Sequence, residues 1–188
     1  VSDWSSDVCS SDLFNQLGSH DTTRILRVTK GNRSLVRLGM ALLMAFPGVP
    51  CIYYGDEISM DGGKDPDNRR CMPWDESEWD QDMRTYVQKL ISIRRSAPAL
   101  KQGGFQLLHA EGDLVALLRR SLEQTIIFAG YRGAALLAEA ELPLRMGGIA
   151  DGSTLRDLIS GTTFTVRDGT LRLKNLAQGS AFLLEVQG

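Results

Sequence analysis

The 188-residue chain is long enough to bury a hydrophobic core, since 43% of its residues are hydrophobic and 23% are charged. Its formal net charge of -2 and its lack of a basic cluster argue against nucleic-acid binding, because such proteins usually present a basic surface to phosphates. No apolar run reaches the roughly 18 to 20 residues that span a bilayer. Composition therefore predicts one domain or two small ones, with neither nucleic acid nor membrane as partner.

The first thirteen residues differ from the rest of the chain. Their sequence, VSDWSSDVCSSDL, repeats Ser-Ser-Asp and has no continuous apolar face. Such a composition is typical of an extended or disordered segment. It also resembles translated adapter sequence of the kind that contaminates assembled reads. We therefore expect residues 1–13 to be a non-native lead and the protein proper to begin near Phe14.

A polar cluster follows the first predicted strand. In FNQLGSHDTTR, residues 14–24, an apolar start leads through a glycine to His20 and Asp21. Aspartate and threonine commonly close loops and cap helices by accepting hydrogen bonds from free backbone N–H groups, so a local structural role is one interpretation. A functional site at the end of the strand is the other.

An α/β pattern comes next. Residues 32–46 carry a capping asparagine and apolar residues around most of the circumference before Pro47, which predicts a helix buried on several sides. The following segment, GVPCIYYG, lies between Gly48 and Gly55 and has the length and edges of a buried parallel strand. A helix followed by a buried strand is typical of α/β architecture.

A long loop rich in Gly, Asp and Pro then spans residues 56–79 and contains Asp65 and Arg69. A second helix is predicted from its capping residue Asp80 to about Ala97, because apolar residues form one stripe along it and a proline follows. That stripe indicates ordinary packing and no chemistry.

Beyond residue 102 the apolar pattern acquires the period of a strand. A two-residue turn at Asp168-Gly169 predicts a hairpin over residues 163–176. Residues 134–142 are ambiguous, since they are rich enough in alanine to suit a helix. The clustered short strands predict a small antiparallel sandwich. Its other strands are expected at residues 105–110, 113–121, 124–132, 153–160 and 181–186.

Three motifs and the trailing β-region, in this order and spacing, point to a family. The motifs are GSHDTTR, GVPCIYYGDEI and KDPDNRRCMPW. Together they resemble the C-terminal part of the α-amylase clan of glycoside hydrolases, family thirteen, and within it the cyclomaltodextrinase, neopullulanase and maltodextrin glucosidase group. The His-Asp pair alone is a weak signal, whereas the ordered combination is strong.

The resemblance implies an α/β plus all-β fold. Residues 14–102 would supply the last two units of a (β/α)8 TIM barrel, and residues 103–188 would form the C-terminal β-sandwich domain. In such barrels the C-terminal ends of the strands and the following loops form the active site. His20-Asp21 and the loop with Asp65 and Arg69 are therefore expected on the same rim.

The resemblance also implies roles for these side chains. Asp21 would be the catalytic carboxylate that stabilises the transition state by binding sugar hydroxyls, and His20 would be its hydrogen-bonding neighbour. Asp65 and Arg69 would bind a glucose unit beyond the cleavage point, or else form an ion pair that braces their loop. Trp74 could stack on a sugar or anchor the loop by burial.

Retaining glycosidases use one carboxylate as nucleophile and another as general acid, about 5 to 5.5 Å apart. In the resembled family both lie on earlier strands, and neither of their motifs is present here. The resemblance therefore implies a fragment of an α-glucan-cleaving hydrolase for maltodextrins or cyclomaltodextrins, inactive when alone. The alternative is a noncatalytic α-amylase-like domain for carbohydrate binding or partner interaction. Native sequence upstream of Phe14 would decide between them.

The remaining expectations concern partners and location. Three cysteines, Cys9, Cys51 and Cys71, are an odd number without paired spacing, which predicts neither a disulfide framework nor a metal site. No cofactor is expected, and the predicted partner is an α-glucan oligosaccharide. Homodimerisation of the intact enzyme is an option from the resemblance. A cytoplasmic location is predicted, while secretion stays open because a signal could precede Phe14.

Overall fold

The computed structural model of the chain describes residues 13–187. The expected non-native lead, with Cys9, lies outside the described residues except for Leu13. The carbonyl oxygen of Leu13 accepts a hydrogen bond from the Val49 backbone N–H at 2.6 Å.

Two short parallel strands begin the fold. Strand β1 is Phe14–Gln16 and strand β2 is Val49–Cys51, and Phe14 is opposite Val49 in their register. The strand predicted over residues 48–55 is thus only three residues long, and Val49 is 47% exposed. The predicted parallel pairing is present, but the strand is shorter and more exposed than predicted, because among the described residues β2 pairs only with the equally short β1.

Four helices accompany these strands: α1, Ile25–Val28; α2, Arg33–Ala45; α3, Gln81–Ser96; and α4, Pro98–Gln102. Both predicted caps are present. The Asn32 side chain accepts from the backbone N–H of Leu35 at 3.2 Å, and the Asp80 side chain accepts from that of Met83 at 3.0 Å. These bonds satisfy donors that the first helical turn leaves free, which fixes where α2 and α3 begin.

Eight antiparallel strands lie between residues 104 and 186. Six of them form one sheet in the order β3-β4-β5-β10-β7-β8, and β6 pairs with β9 in a second sheet. The ambiguous alanine-rich segment is strand β6. The strands are β3 Gly104–Glu111, β4 Leu114–Arg120, β5 Thr125–Tyr131, β6 Leu137–Pro143, β7 Thr154–Asp157, β8 Thr163–Thr165, β9 Thr170–Leu176 and β10 Ser180–Val186.

The predicted hairpin over residues 163–176 is correct only at its turn. Asp168 and Gly169 have positive φ values of 55° and 71°, and they are flanked by an antiparallel bridge between Arg167 and Thr170. The strands on either side separate, because β8 pairs with β7 and β9 pairs with β6 in the other sheet. The backbone N–H of Val166 donates to Ser153 rather than to β9, so the chain has already left β9 at that point.

The central strands β5 and β10 of the six-stranded sheet are covered on both faces. Phe128 and Leu183 pack in a core with α2, α3 and α4. Ile127 and Leu184, their neighbours along the same strands, pack in a second core against β6 and β9. Successive side chains of a strand point to opposite faces, so these strands are apolar at nearly every position.

Both ends of α2 are bonded to the β-region. At its start, the Asn32 side-chain amide donates to the Gln178 side chain at 2.6 Å. At its end, the buried Arg119 of β4 donates to the Ala45 carbonyl at 2.9 Å, and the buried Arg94 of α3 donates to Met44 at 2.6 Å. These arginines satisfy carbonyl groups that the last helical turn leaves free.

Candidate functional site

The candidate site begins with a self-closed turn after β1. The Ser19 backbone N–H donates to the Thr22 hydroxyl at 2.9 Å, and the Thr22 N–H donates back to the Ser19 carbonyl at 3.2 Å. His20 and Asp21 lie between them with side chains 62% and 71% exposed. The strand itself ends at Gln16, so the His-Asp pair lies in the turn beyond the strand rather than at its last residue.

A second loop faces this turn. Asp67 organises it, because one carboxylate oxygen accepts from the Gly63 N–H at 2.5 Å and the other accepts from Arg70 at 2.7 Å. These bonds, the one from Gly63 above all, lower the pKa of Asp67. A short 3-10 turn, Asp67–Arg69, follows directly from Pro66 and directs Arg69 toward the His-Asp turn.

The four residues singled out in the sequence meet in one cluster. Arg69 lies 2.8 Å from Asp65 through Nε and 3.5 Å from Asp21 through Nη2. His20 Nε2 lies 3.4 Å from the other carboxylate oxygen of Asp21. All four side chains are exposed, and exposed ion pairs contribute little to stability. The cluster therefore presents carboxylate, imidazole and guanidinium groups to solvent, where a polyhydroxylated ligand can reach them.

Asn68 lies behind the cluster and was not identified from the sequence. Its side chain is fully buried, and its amide nitrogen donates to the carbonyl oxygens of His20 at 2.7 Å and Thr22 at 2.8 Å. No sequence pattern indicates this contact, because its partners are 46 and 48 positions away.

A buried charge pair, also unrecognised in the sequence, lies beneath the same turn. Arg24 is fully buried, and its Nη1 donates to Asp56 at 3.1 Å and to the Tyr54 carbonyl at 2.7 Å. The rings of Tyr53 and Tyr54 lie 4.5 and 4.8 Å from the Arg24 guanidinium carbon. Burial raises the pKa of Asp56 to about 6, while the charge and hydrogen bond of Arg24 act in the opposite direction. The role of Tyr53, Tyr54 and Asp56 is thus structural, since they surround the buried Arg24 beneath the site.

Trp74 is 81% exposed, so it is not a buried loop anchor. The nearby Trp79 has an indole N–H that donates to the Pro73 carbonyl at 2.7 Å. Across residues 13–187, no group of three or more His, Cys, Asp or Glu side chains is arranged to hold a metal ion. In the same part of the chain, no helix is long and apolar enough to cross a membrane.

Comparison with known proteins places this arrangement in a family. Residues 1–97 match the model of the α-amylase catalytic domain. The chain therefore belongs to the α-amylase family.

Its relatives include enzymes named for cyclomaltodextrin and for pullulan. A cyclomaltodextrinase from a Bacillus species is 41% identical over 120 residues, covering 63% of this chain and 22% of the relative. Neopullulanase 2 from Thermoactinomyces vulgaris is 34% identical over 164 residues, covering 86% of this chain and 27% of the relative. The chain thus spans about a quarter of the length of these relatives.

The fold is similar to solved structures of the same family. The α-amylase from Geobacillus thermoleovorans in complex with acarbose superposes with a TM-score of 0.82 at 28% identity, covering 94% of this chain and 39% of that chain. Both the α/β part and the sandwich lie within the matched region, because the match covers nearly the whole chain.

Proposed function

We propose that the intact enzyme containing this chain is a retaining glycoside hydrolase that cleaves maltodextrins or cyclomaltodextrins. The residues described here would form the last two units of its (β/α)8 barrel and its C-terminal sandwich. The observation that carries the proposal is the meeting of His20 and Asp21 with Asp65 and Arg69 in one exposed cluster. The relatives named for cyclomaltodextrin and pullulan support the substrate class.

In this proposal, Asp21 accepts hydrogen bonds from sugar hydroxyls at the bond to be cleaved. As the sugar ring flattens toward an oxocarbenium ion, the hydroxyl next to the reacting carbon becomes a better donor, and its bond to the carboxylate strengthens. Interactions that are stronger in the transition state than in the bound substrate raise kcat. His20 lies close enough to Asp21 to hold the same sugar.

The nucleophile and the general acid are proposed to lie in sequence outside these 188 residues. A double displacement needs a carboxylate that forms a covalent glycosyl intermediate and a second group that protonates the leaving oxygen. The two carboxylates of the cluster, Asp21 and Asp65, are both within ion-pair distance of Arg69. Both carboxylates are proposed to bind sugar. The 188-residue chain alone is therefore expected to hydrolyse no α-glucan.

The test is Asp21→Asn in the intact enzyme, assayed with maltotriose and a cyclomaltodextrin. Loss of several kcal/mol of transition-state stabilisation predicts a fall in kcat/KM of roughly a hundred- to a thousandfold. Asp113→Asn is the matched control, since Asp113 is also an exposed carboxylate paired with an arginine, Arg132, at 2.9 Å. The control variant should retain wild-type turnover. Both variants should keep the melting temperature of the wild type, because both carboxylates are exposed.

Three results would contradict parts of the proposal. Wild-type turnover by Asp21→Asn would remove the role of Asp21. Turnover by the 188-residue chain alone would remove the assignment of nucleophile and acid to sequence elsewhere. An intact protein that binds maltotriose without cleaving it would favour the noncatalytic alternative.

Asp65 and Arg69 are proposed to bind a glucose unit away from the cleaved bond. Asp65→Asn should then raise KM for longer maltodextrins by roughly three- to tenfold, because a lost hydrogen bond to a ligand is worth about 1 kcal/mol, with kcat nearly unchanged. An unchanged KM with a lowered melting temperature would instead indicate that the Asp65–Arg69 pair only braces its loop.

The cytoplasmic location and the homodimer stay predictions. Cys51 and Cys71 are free thiols in the structure, which is compatible with a reducing compartment. Fractionation of the source cells and the mass of the intact enzyme in solution would test these two points.

A further inference from the structure

Asn68 uses both of its amide hydrogens on the turn that carries Asp21. The two acceptors are the carbonyl oxygens of His20 and Thr22, the residues on either side of Asp21. Asn68 is itself fully buried, so water does not compete for these bonds. The backbone on both sides of the Asp21 side chain is therefore held by one side chain.

The orientation of the Asn68 amide is determined by these partners. Rotating the amide by 180° would place its oxygen against two carbonyl oxygens, which is repulsive. In the observed orientation the amide oxygen is buried and has no partner among the described residues. An unpaired buried acceptor costs about 1–3 kcal/mol. The buried amide oxygen of Asn68 thus costs free energy, and the two hydrogen bonds donated by its amide nitrogen are what this side chain contributes.

The surrounding loop brings Asn68 to this place. The backbone N–H of Arg24, two residues after the turn, donates to the Gly62 carbonyl at 3.1 Å. A side chain at position 62 would put its Cβ 2.9 Å from the Cα of Asn68 in the same loop, so only glycine allows this loop to fold back on itself so closely. Arg69, the next residue, reaches the Asp21 carboxylate from the solvent side at 3.5 Å.

We propose that Asn68 is a positioning residue for Asp21. It holds the His20–Thr22 backbone so that the Asp21 carboxylate lies where the sugar hydroxyls need it, and it makes no contact with substrate. The inference rests on the proposed function of Asp21. It predicts that loss of the two amide donors acts on the transition state through Asp21, since a displacement of about 1 Å in a catalytic group can lower the rate roughly a hundredfold.

The experiment uses the intact enzyme and Asn68→Asp, which keeps the shape of the side chain and replaces the donor nitrogen by an acceptor. Asn68→Ser is a milder variant that retains one donor, and it decides the question if Asn68→Asp does not fold. Asn32→Ala is the matched control. It also removes an asparagine that bonds to backbone and to a distant side chain, but Asn32 is half-buried and its partners are Leu35 and Gln178.

With maltotriose, kcat of Asn68→Asp should fall by roughly ten- to a hundredfold while KM changes less than about threefold. Asn68→Ser should show a smaller loss of kcat, and Asn32→Ala should lose stability but keep kcat. The double variant Asp21→Asn/Asn68→Asp should be no slower than Asp21→Asn alone within about twofold, because Asn68 acts only through Asp21.

Each other result overturns the inference in a distinguishable way. Wild-type kcat in both folded Asn68 variants, with Asp21→Asn impaired, overturns the role of Asn68 and leaves the proposed function intact. The inference is also overturned if the fold-losses in kcat of the two single variants multiply in the double variant, because Asn68 would then act independently of Asp21. Wild-type kcat in Asp21→Asn overturns the proposed function and this inference together.

Discussion

The α/β part and the β-sandwich bury different kinds of groups. Beneath the candidate site the interior of the α/β part holds Arg24, Asp56 and Asn68, all almost fully buried. Between the two sheets of the sandwich lies a large apolar cluster that includes Leu142, Leu171 and Leu173. The buried polar residues of the described β-region are Arg119 of β4 and Asp157 of β7. Buried polar groups cost free energy unless they are paired, whereas apolar packing stabilises without fixing one geometry as strictly. The comparison suggests that the polar interior positions the exposed cluster and that the sandwich core contributes stability.

The largest expected effect comes from removing the buried cation. Arg24→Met leaves the Asp56 carboxylate buried without its partner and the Tyr54 carbonyl without a donor. Breaking such a pair costs about 3–5 kcal/mol in the free energy of unfolding. The value of kcat should fall too, because Arg24 lies two residues after the His-Asp turn and its backbone N–H bonds to Gly62 of the facing loop. Denaturant unfolding and maltotriose kinetics measure both. Arg27→Met, which removes an exposed arginine paired with Asp61, should cost about 1 kcal/mol or less.

The stability lost in Arg24→Met should depend on pH, because the partner of Arg24 is the titratable carboxylate of Asp56. The pKa of Asp56 is raised from 3.8 to about 6 in the folded protein. Folding therefore favours the protonated acid, so its contribution to stability is fully present below about pH 4 and lost as the pH rises through 6. Without Arg24 the pKa rises further and the loss extends to higher pH. The deficit of Arg24→Met relative to wild type should thus grow from pH 5 to pH 8; a deficit that shrinks would contradict this.

A core substitution in the sandwich should separate stability from activity. Leu173 of β9 is fully buried between the two sheets. Leu173→Ala should lower the free energy of unfolding by about 3 kcal/mol, from lost burial and the cavity left behind. At temperatures where the variant is folded, kcat and KM should equal those of wild type. A fall in kcat under those conditions would break the proposed division between the two parts.

The smallest effect is expected on the sandwich surface. Glu141 of β6 accepts from Arg172 of β9 at 2.9 Å, and both side chains are exposed. Glu141→Gln should shift the melting temperature by less than about 1 °C, since solvent and salt screen such pairs. A larger shift that persists in 0.5 M salt would mean that charges stabilise the sandwich more than its apolar core suggests.

Local signals in the sequence predict what local interactions determine. The caps Asn32 and Asp80 and the turn at Asp168-Gly169 were all predicted from residues within a few positions of each other, and the structure contains them. The parallel strand predicted within residues 48–55 is present, but its extent and burial were predicted wrongly, as was the pairing of residues 163–176. Their extent depends on which distant strand lies alongside, and a turn signal carries no information about the sheet that each strand joins.

The same distinction applies to the candidate site. His20, Asp21, Asp65 and Arg69 were singled out through the family resemblance, and the structure brings them together. Arg24 and Asn68 were not, although both stand inside the quoted motifs. Their partners are 32 and 48 positions away in the chain, and a buried arginine or asparagine has the same letter as an exposed one.

The bonds at the two ends of α2 have a consequence for protein engineering. Asn32 is bonded to Gln178, and Ala45 is bonded to Arg119, so the helix and the β-region hold each other in a fixed relation. A chimera that exchanges only the residues after 102 between family members would separate these partners and pack the helices against a sheet from another protein. The unit that can be exchanged between relatives is therefore the sandwich together with the helices α2, α3 and α4 that pack on it.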